Sequence, residues 1–204
     1  MKEEKRIERK MYFPDKNKDS LIGVIKTHPY GFKETYPERQ VNSIYYDTAS
    51  LDNFWDNENG HENRAKLRIR WYGKDLEPNK EAMIELKMKM GEVGSKIREK
   101  VSDNKDQRIK DMFKITSPVI KIYYKRRYFE SADRKIRMTV DFDITYEGLS
   151  NSKNYSKPYT EPGCVVEIKY DVSIDDKISG ITQIFGHRIN KFSKYARGIF
   201  SCYY

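Results

Sequence analysis

The chain has 204 residues, enough for one domain or a tight pair, and no obvious linker divides it, so a single domain over 1–204 is expected. Its 35% charged residues are balanced by 13% aromatics, which exclude a disordered chain, and a net charge of +9 points to anionic partners: polyphosphate, nucleotides, nucleic acid or an anionic membrane surface. Two cysteines without a CxxC, three scattered histidines and no bilayer-length apolar run argue against a zinc site, a disulfide framework, a signal peptide and a membrane span, and for a reducing, cytoplasmic compartment.

In chain order, Arg6 to Phe13 (RIERKMYF), if extended, places Arg6, Glu8 and Lys10 on one face. An acid beside a base there suits a carboxylate holding a metal next to a cation holding phosphate; it also suits an ion pair on a solvated face. Asp15 to Lys26 predicts a helix with Leu21, Ile22, Val24 and Ile25 as its stripe, stopped by Pro29-Tyr30-Gly31. Val41 to Thr48 (VNSIYYDT) predicts a strand, and Thr48 or Ser50 a cap for a short helix carrying Leu51, Phe54 and Trp55. Asn63 to Gly73 (NRAKLRIRWYG) follows, with Lys66, Arg68 and Arg70 on one parity and Leu67, Ile69 and Trp71 on the other. A strand lines up three cations on one face, and two guanidinium forks suit a ligand with several phosphate oxygens.

Glu81 to Met90 repeats the pattern: Met83, Glu85, Lys87 and Lys89 oppose Ile84, Leu86, Met88 and Met90. Gly91 to Gly94 breaks it, Lys96, Arg98 and Lys100 then alternate, and Asp103 to Met112 predicts a polar surface helix or loop. Pro118 to Glu130 (PVIKIYYKRRYFE) is a strand with two substantial faces, which leaves its inward side open. In Arg134 to Tyr146, Arg137, Thr139, Asp141 and Asp143 oppose Ile136, Met138, Val140, Phe142 and Ile144. Glu147 to Gly163 predicts a long hairpin loop, Cys164 to Asp171 a strand with Glu167 and Lys169 on its charged face, and Ile174 to Tyr204 helix around Ile178, Ile181 and Phe185. That last stretch also presents Lys191, Ser193 and Lys194.

At least five strands therefore pair a face of mixed charge with an apolar face. An ordinary antiparallel sheet would wet its charged faces. The alternative is a closed barrel with a charged lumen, an apolar outside covered by helices and a polyanionic ligand or abundant water inside, because a dry, empty lumen of Arg and Lys is costly.

The motifs IERK (Ile7–Lys10), SIYYDT (Ser43–Thr48), LRIRWYG (Leu67–Gly73), IELKMK (Ile84–Lys89), YKRRYF (Tyr124–Phe129), VEIKYD (Val166–Asp171) and KFSKYARG (Lys191–Gly198) run the length of the chain. In them the chain resembles the VTC domain, the polyphosphate-polymerase domain of vacuolar transporter chaperone complexes, within the triphosphate tunnel metalloenzyme superfamily. The resemblance implies a mainly β (α+β) fold, a closed eight-stranded antiparallel β-barrel tunnel with flanking helices. It implies ATP or another nucleoside triphosphate, and polyphosphate or pyrophosphate, as ligands, with Mn²⁺ or Mg²⁺. By motif, Arg68 and Arg70 clamp phosphates, Lys10, Lys87 and Arg126 add charge, and Lys194 closes the phosphate path; YKRRYF offers Arg127 as the other inward arginine. Glu167 holds the metal, with Glu8 and Glu85 as further candidates, and Lys66, Lys89, Arg137, Lys169 and Lys191 extend the phosphate-binding set. The implied activity transfers the terminal phosphate of ATP to a polyphosphate chain. With water as acceptor the same site is a triphosphatase; without turnover it is a binder of polyphosphate or nucleic acid. Acids alternating with the arginines argue against an exposed nucleic-acid patch. The appended domains of the eukaryotic complexes have no counterpart in this sequence, which leaves a membrane partner to a separate protein.

Overall fold

The computed structural model describes residues 6–91, 93–149 and 157–204. Eight strands, β1 (Arg6–Phe13), β2 (Lys33–Asp47), β3 (Arg64–Tyr72), β4 (Met83–Met90), β5 (Val93–Lys100), β6 (Ser117–Glu130), β7 (Ile136–Gly148) and β8 (Tyr159–Asp171), form a sheet in the order β1-β8-β7-β6-β2-β3-β4-β5. The helices are α1 (Lys18–Lys26), α2 (Asp52–Glu58), α3 (Gln107–Ile115), α4 (Ile178–Gln183) and α5 (Lys194–Tyr203). The fold is mainly β, with antiparallel strands and flanking helices, but hydrogen bonds do not close the sheet into the expected barrel. Among the described residues β1 and β5 end the order unpaired with each other. Lys96, Arg98 and Lys100 along β5, with Gly94 near its start, make that strand a poor template for another edge.

The chain comprises two compact units. The first takes Met1–Arg39, Tyr124–Ile144 and Glu161–Phe192; the second takes Gln40–Tyr123, Thr145–Thr160 and Ser193–Tyr204. In the first, β1 pairs antiparallel with β8, bringing Glu8 opposite Lys169 and Lys10 opposite Glu167. On the other face, Met11, Phe13, Val166 and Ile168 are fully buried with Leu21, Ile22 and Ile25 of α1 and Ile178 and Ile181 of α4. Helix α1 starts where the Asn17 side chain accepts from Ser20 N at 2.9 Å, two residues inside the expected start. In the second unit, the apolar face of β3 and β4 (Leu67, Ile84, Leu86) packs under Ile109 of α3, with Met112 and Phe113 beside it. Helices thus cover the apolar face in both units, and each charged face is the opposite one.

Several boundaries differ from expectation. Strand β2 begins at Lys33, and β7 and β8 run to Gly148 and from Tyr159, into the stretch expected to be a loop; the middle of that stretch, 150–156, lies outside the described residues, as do 1–5 and Glu92. The helical stripe over Ile178 to Phe185 is shorter than predicted: α4 ends at Gln183, and the buried Phe185 follows in a turn. Asp143 does not share a face with Asp141. Its backbone is left-handed (φ 52°), so Asp141 is fully buried while Asp143 is exposed and pairs with Lys125 at 3.0 Å.

Candidate functional site

In the second unit the register sets Ser43 against Arg70 and Tyr45 against Arg68 across β2 and β3, then Arg68 against Glu85 and Lys66 against Lys87 across β3 and β4. Across β4 and β5 it sets Glu85 against Arg98 and Lys87 against Lys96. Among the described residues, Glu85 is the one carboxylate on this face of β3, β4 and β5. Its side chain is 5% exposed and sits in the Arg68 fork, with Nη2 at 2.5 Å and Nε at 2.8 Å; Lys96 Nζ lies at 2.9 Å, Arg98 Nε at 3.6 Å and Arg70 Nη1 at 3.9 Å. Burial alone would raise the Glu85 carboxyl, but Arg68, Arg70 and Lys96 outweigh it and hold it at about 2. On the described residues of these strands Lys66, Arg68, Arg70, Lys87, Lys96 and Arg98 outnumber the carboxylate, an arrangement that suits phosphate oxygens. Glu85, expected as a metal candidate, is here the counter-ion of the arginines.

The same face carries a tyrosine pair that the sequence did not mark as functional. The Arg68 Nη1 donates to the Tyr45 hydroxyl at 2.8 Å, and the Tyr45 ring stacks on Tyr195 of α5 with centroids 5.0 Å apart. Burial pushes the Tyr45 hydroxyl up, but Arg68, Arg70 and Lys66 bring it down to about 8. Tyr195 is pushed the other way, by burial and by the Asp47 carboxylate to which it donates. Asp47 is fully buried at the end of β2 and also accepts from Thr48 N (2.8 Å), Asn53 N (3.0 Å), Asn53 Nδ2 (2.8 Å) and Phe54 N (3.0 Å). It thereby caps α2, whose N-cap residue, Leu51, is left-handed (φ 59°) and caps with no side chain. Of the two expected caps, Thr48 and Ser50, Thr48 helps by accepting from Asp52 N at 3.0 Å. Ser193 caps α5 through Ala196 N, which fixes the KFSKY segment and places the Lys66 ammonium 6.0 Å from the Tyr195 ring centre. Lys194 is half-buried at the first turn of α5, Lys87 is exposed and Lys89 half-buried on β4.

In the first unit the charged faces of β1, β6, β7 and β8 carry a second cluster. Arg126, 12% exposed, forks onto the buried Asp141 with Nε at 2.5 Å and Nη2 at 2.7 Å, and its Nη2 lies 3.8 Å from Glu167. Lys169 Nζ bridges Glu167 (2.7 Å) and Glu8 (3.3 Å), and Lys10 Nζ meets Glu8 at 2.8 Å. Burial and Glu167 push the Glu8 carboxyl up, but Lys10 and Lys169 more than offset them and it lies below its usual range. Arg127 points elsewhere and pairs with Glu34. Arg137 is exposed and pairs with Glu130 at 3.1 Å, and Lys191 is exposed beyond the cluster.

Among the described residues no group of three or more His, Cys, Asp or Glu side chains is arranged to hold a metal by itself. The first unit nevertheless fits a divalent cation in a more limited sense. Glu8 and Glu167 already converge on a single cationic point, the Lys169 ammonium. Two carboxylates leave most of the coordination shell for water and phosphate oxygens, the arrangement Mg²⁺ favours.

Three solved structures share this fold. A proposed adenylate cyclase from Vibrio parahaemolyticus is 15% identical, over 97% of this chain and 98% of that one, with a TM-score of 0.56. A Hippeastrum protein, proposed as an adenylyl cyclase and described as having a dominant triphosphatase activity, is 15% identical over 97% and 96%, also at 0.56. A Pyrococcus horikoshii protein is 13% identical over 94% and 98%, at 0.54. The family model for the VTC domain matches residues 1–114 and 104–203, and the chain belongs to that family. No curated protein matches it.

Proposed function

We propose that this chain is a phosphoryl-handling enzyme that moves the terminal phosphate of ATP onto a polyphosphate chain in the presence of a divalent cation. One observation carries the reading: the face of β3, β4 and β5 presents Lys66, Arg68, Arg70, Lys87, Lys96 and Arg98, with Glu85 as the one carboxylate beside them among the described residues of these strands. Membership of the VTC family supports it. In the proposed step a terminal polyphosphate oxygen forms a bond to the γ-phosphorus. The bond from that phosphorus to its bridging oxygen breaks, and ADP leaves with the electron pair. Such a transfer needs positioning and charge neutralisation more than a protein nucleophile. In the second unit Arg68 and Arg70 would orient and neutralise non-bridging oxygens, with Lys194 extending that set; in the first unit Arg126, held by Asp141, and Lys10 and Lys169 would bind phosphate. Glu167 and Glu8 would hold Mn²⁺ or Mg²⁺, which would supply further neutralisation of phosphate charge.

Hydrolysis, with water as acceptor, is the second reading, favoured by the triphosphatase activity printed for the Hippeastrum protein of the same fold. A cytoplasmic setting with a separate membrane protein as partner belongs to the proposal. Among the described residues no helix is long and apolar enough to cross a membrane.

The test is incubation of purified protein with ATP and Mn²⁺ or Mg²⁺, with products resolved on a gel stained for polyphosphate. A polymer ladder is expected, lost in Arg68→Ala and Glu167→Gln while circular dichroism shows both variants folded. Free phosphate without polymer replaces the transferase by the hydrolase. Wild-type rates in both variants would sink the site assignment.

A further inference from the structure

The first half of β2 is exposed on both faces from Lys33 to Arg39, so no core packing accounts for its side chains. Two of them nonetheless build an ordered stack with β6. The Tyr36 ring, 51% exposed, meets the Tyr128 ring edge-on with centroids 5.7 Å apart. The Arg39 guanidinium lies over both, 4.6 Å from the Tyr36 centroid and 5.8 Å from that of Tyr128. Tyr128 is also the inner end of the stack: the Arg126 guanidinium sits 6.0 Å from its centroid and 5.3 Å from that of Tyr124. An aromatic ledge therefore leads outward from the buried Arg126–Asp141 fork to a tyrosine face and a guanidinium plane open to solvent. Tyr128 stands two residues along the strand from Arg126, about 7 Å. Tyr36 lies one ring further out, so the ledge spans the reach of a ribose and triphosphate.

We propose that Tyr36, Arg39 and Tyr128 form a stacking platform for the nucleobase of a nucleoside triphosphate whose phosphates are held at the Arg126 cluster; this rests on the triphosphate reading above. Aromatic rings and guanidinium planes both stack on the π-face of a base, and neither reads its edge. The neighbouring carboxylates that could read an edge are engaged: Glu34 with Arg127, and Glu38 with Lys18 at 3.8 Å. The platform thus prefers purines to pyrimidines for their larger stacking area and separates ATP from GTP poorly.

The test is calorimetric titration of the intact chain and of Tyr36→Ala and Tyr36→Phe with ATP, GTP, UTP and inorganic tripolyphosphate. Tyr36→Ala should weaken ATP and GTP about tenfold and UTP less, and leave tripolyphosphate within about twofold, while Tyr36→Phe stays close to wild type. Tripolyphosphate bound normally but ATP affinity unchanged in Tyr36→Ala would overturn the platform and leave the triphosphate reading standing. Equal losses for ATP and tripolyphosphate would overturn it too, by showing an effect on charge or fold instead of on the base. If the wild-type chain binds neither ligand, the triphosphate reading fails and the platform falls with it.

Discussion

Replacing Glu85 with glutamine keeps the side chain's size and removes the charge on which Arg68, Lys96 and Arg98 converge. Its carboxyl stands at about 2 in the folded protein against 4.5 for an ordinary glutamate, and the side chain is only 5% exposed, so solvent screens the interaction little. At 1.36 kcal/mol per pH unit, that difference is worth about 3 kcal/mol of folding free energy at neutral pH. The sign follows from the lowered value. The stabilisation is fully present above pH 4.5 and fades as pH falls towards 2. At pH 3 a little under half remains, about 1.4 kcal/mol. Urea unfolding of wild type and Glu85→Gln at pH 7 and pH 3 measures both gaps. Equal stability at pH 7, or a gap that does not shrink with acid, would refute the reasoning. The same variant tests the counter-ion role: with Arg68, Lys96 and Arg98 released, affinity for metal-free tripolyphosphate should rise. A fall would mean that Glu85 orients these cations for the ligand instead of competing with it.

Tyr45 supplies an alkaline counterpart. As pH rises through about 8 its hydroxyl ionises and competes with phosphate for Arg68, so triphosphate affinity in the wild type should decline there while Tyr45→Phe stays flat. Because its value lies below the ordinary 10, its contribution to stability is complete above pH 10 and lost as pH falls through about 8; phenolate absorbance during titration reports the ionisation directly. Asp47→Ala removes the shared acceptor of the α2 N-terminus and of Tyr195, and should lower stability by about 3–5 kcal/mol in thermal or urea unfolding. A loss under about 1 kcal/mol would mean that water replaces the carboxylate.

Alternation made the strands legible wherever one face meets a helix. Leu67 and Leu86 mark their apolar faces because α3 buries them, and β1, β3 and β4 lie close to the expected ranges; β8 ends where expected but starts five residues earlier. The first half of β2 carried no such mark: Lys33 to Arg39 is exposed on both faces and includes Pro37, so nothing in it alternates between core and water. The charged faces were visible as parity, but their pairing was not. That Glu85 would lie within reach of Lys96 and Arg98 depends on the β4–β5 register, which a one-residue slip would reverse. Tyr45 and Tyr195 stood in separate motifs, SIYYDT and KFSKYARG, and nothing in the sequence joined them, because their meeting brings together segments far apart in the chain. Asp47 sat inside a quoted motif, SIYYDT, yet a carboxylate before a helix shows its burial only once α5 arrives. Arg126 and Arg127 differ by a single step of the strand, and only the partners Asp141 and Glu34 tell them apart.

The bond from Tyr195 to Asp47 spans 148 residues and has a consequence during synthesis. At ribosomal speeds of about 5–20 residues per second, roughly 7–30 s separate the emergence of the two partners. Throughout that interval the nascent β2–α2 corner holds a carboxylate whose fifth donor does not yet exist, and the Tyr45 ring lacks its stacking partner. The long closure makes docking of α5 a late event in folding. A ribosome stalled shortly before Tyr195 would therefore present an open, basic, aromatic surface to the cell's anions before the protein can use it.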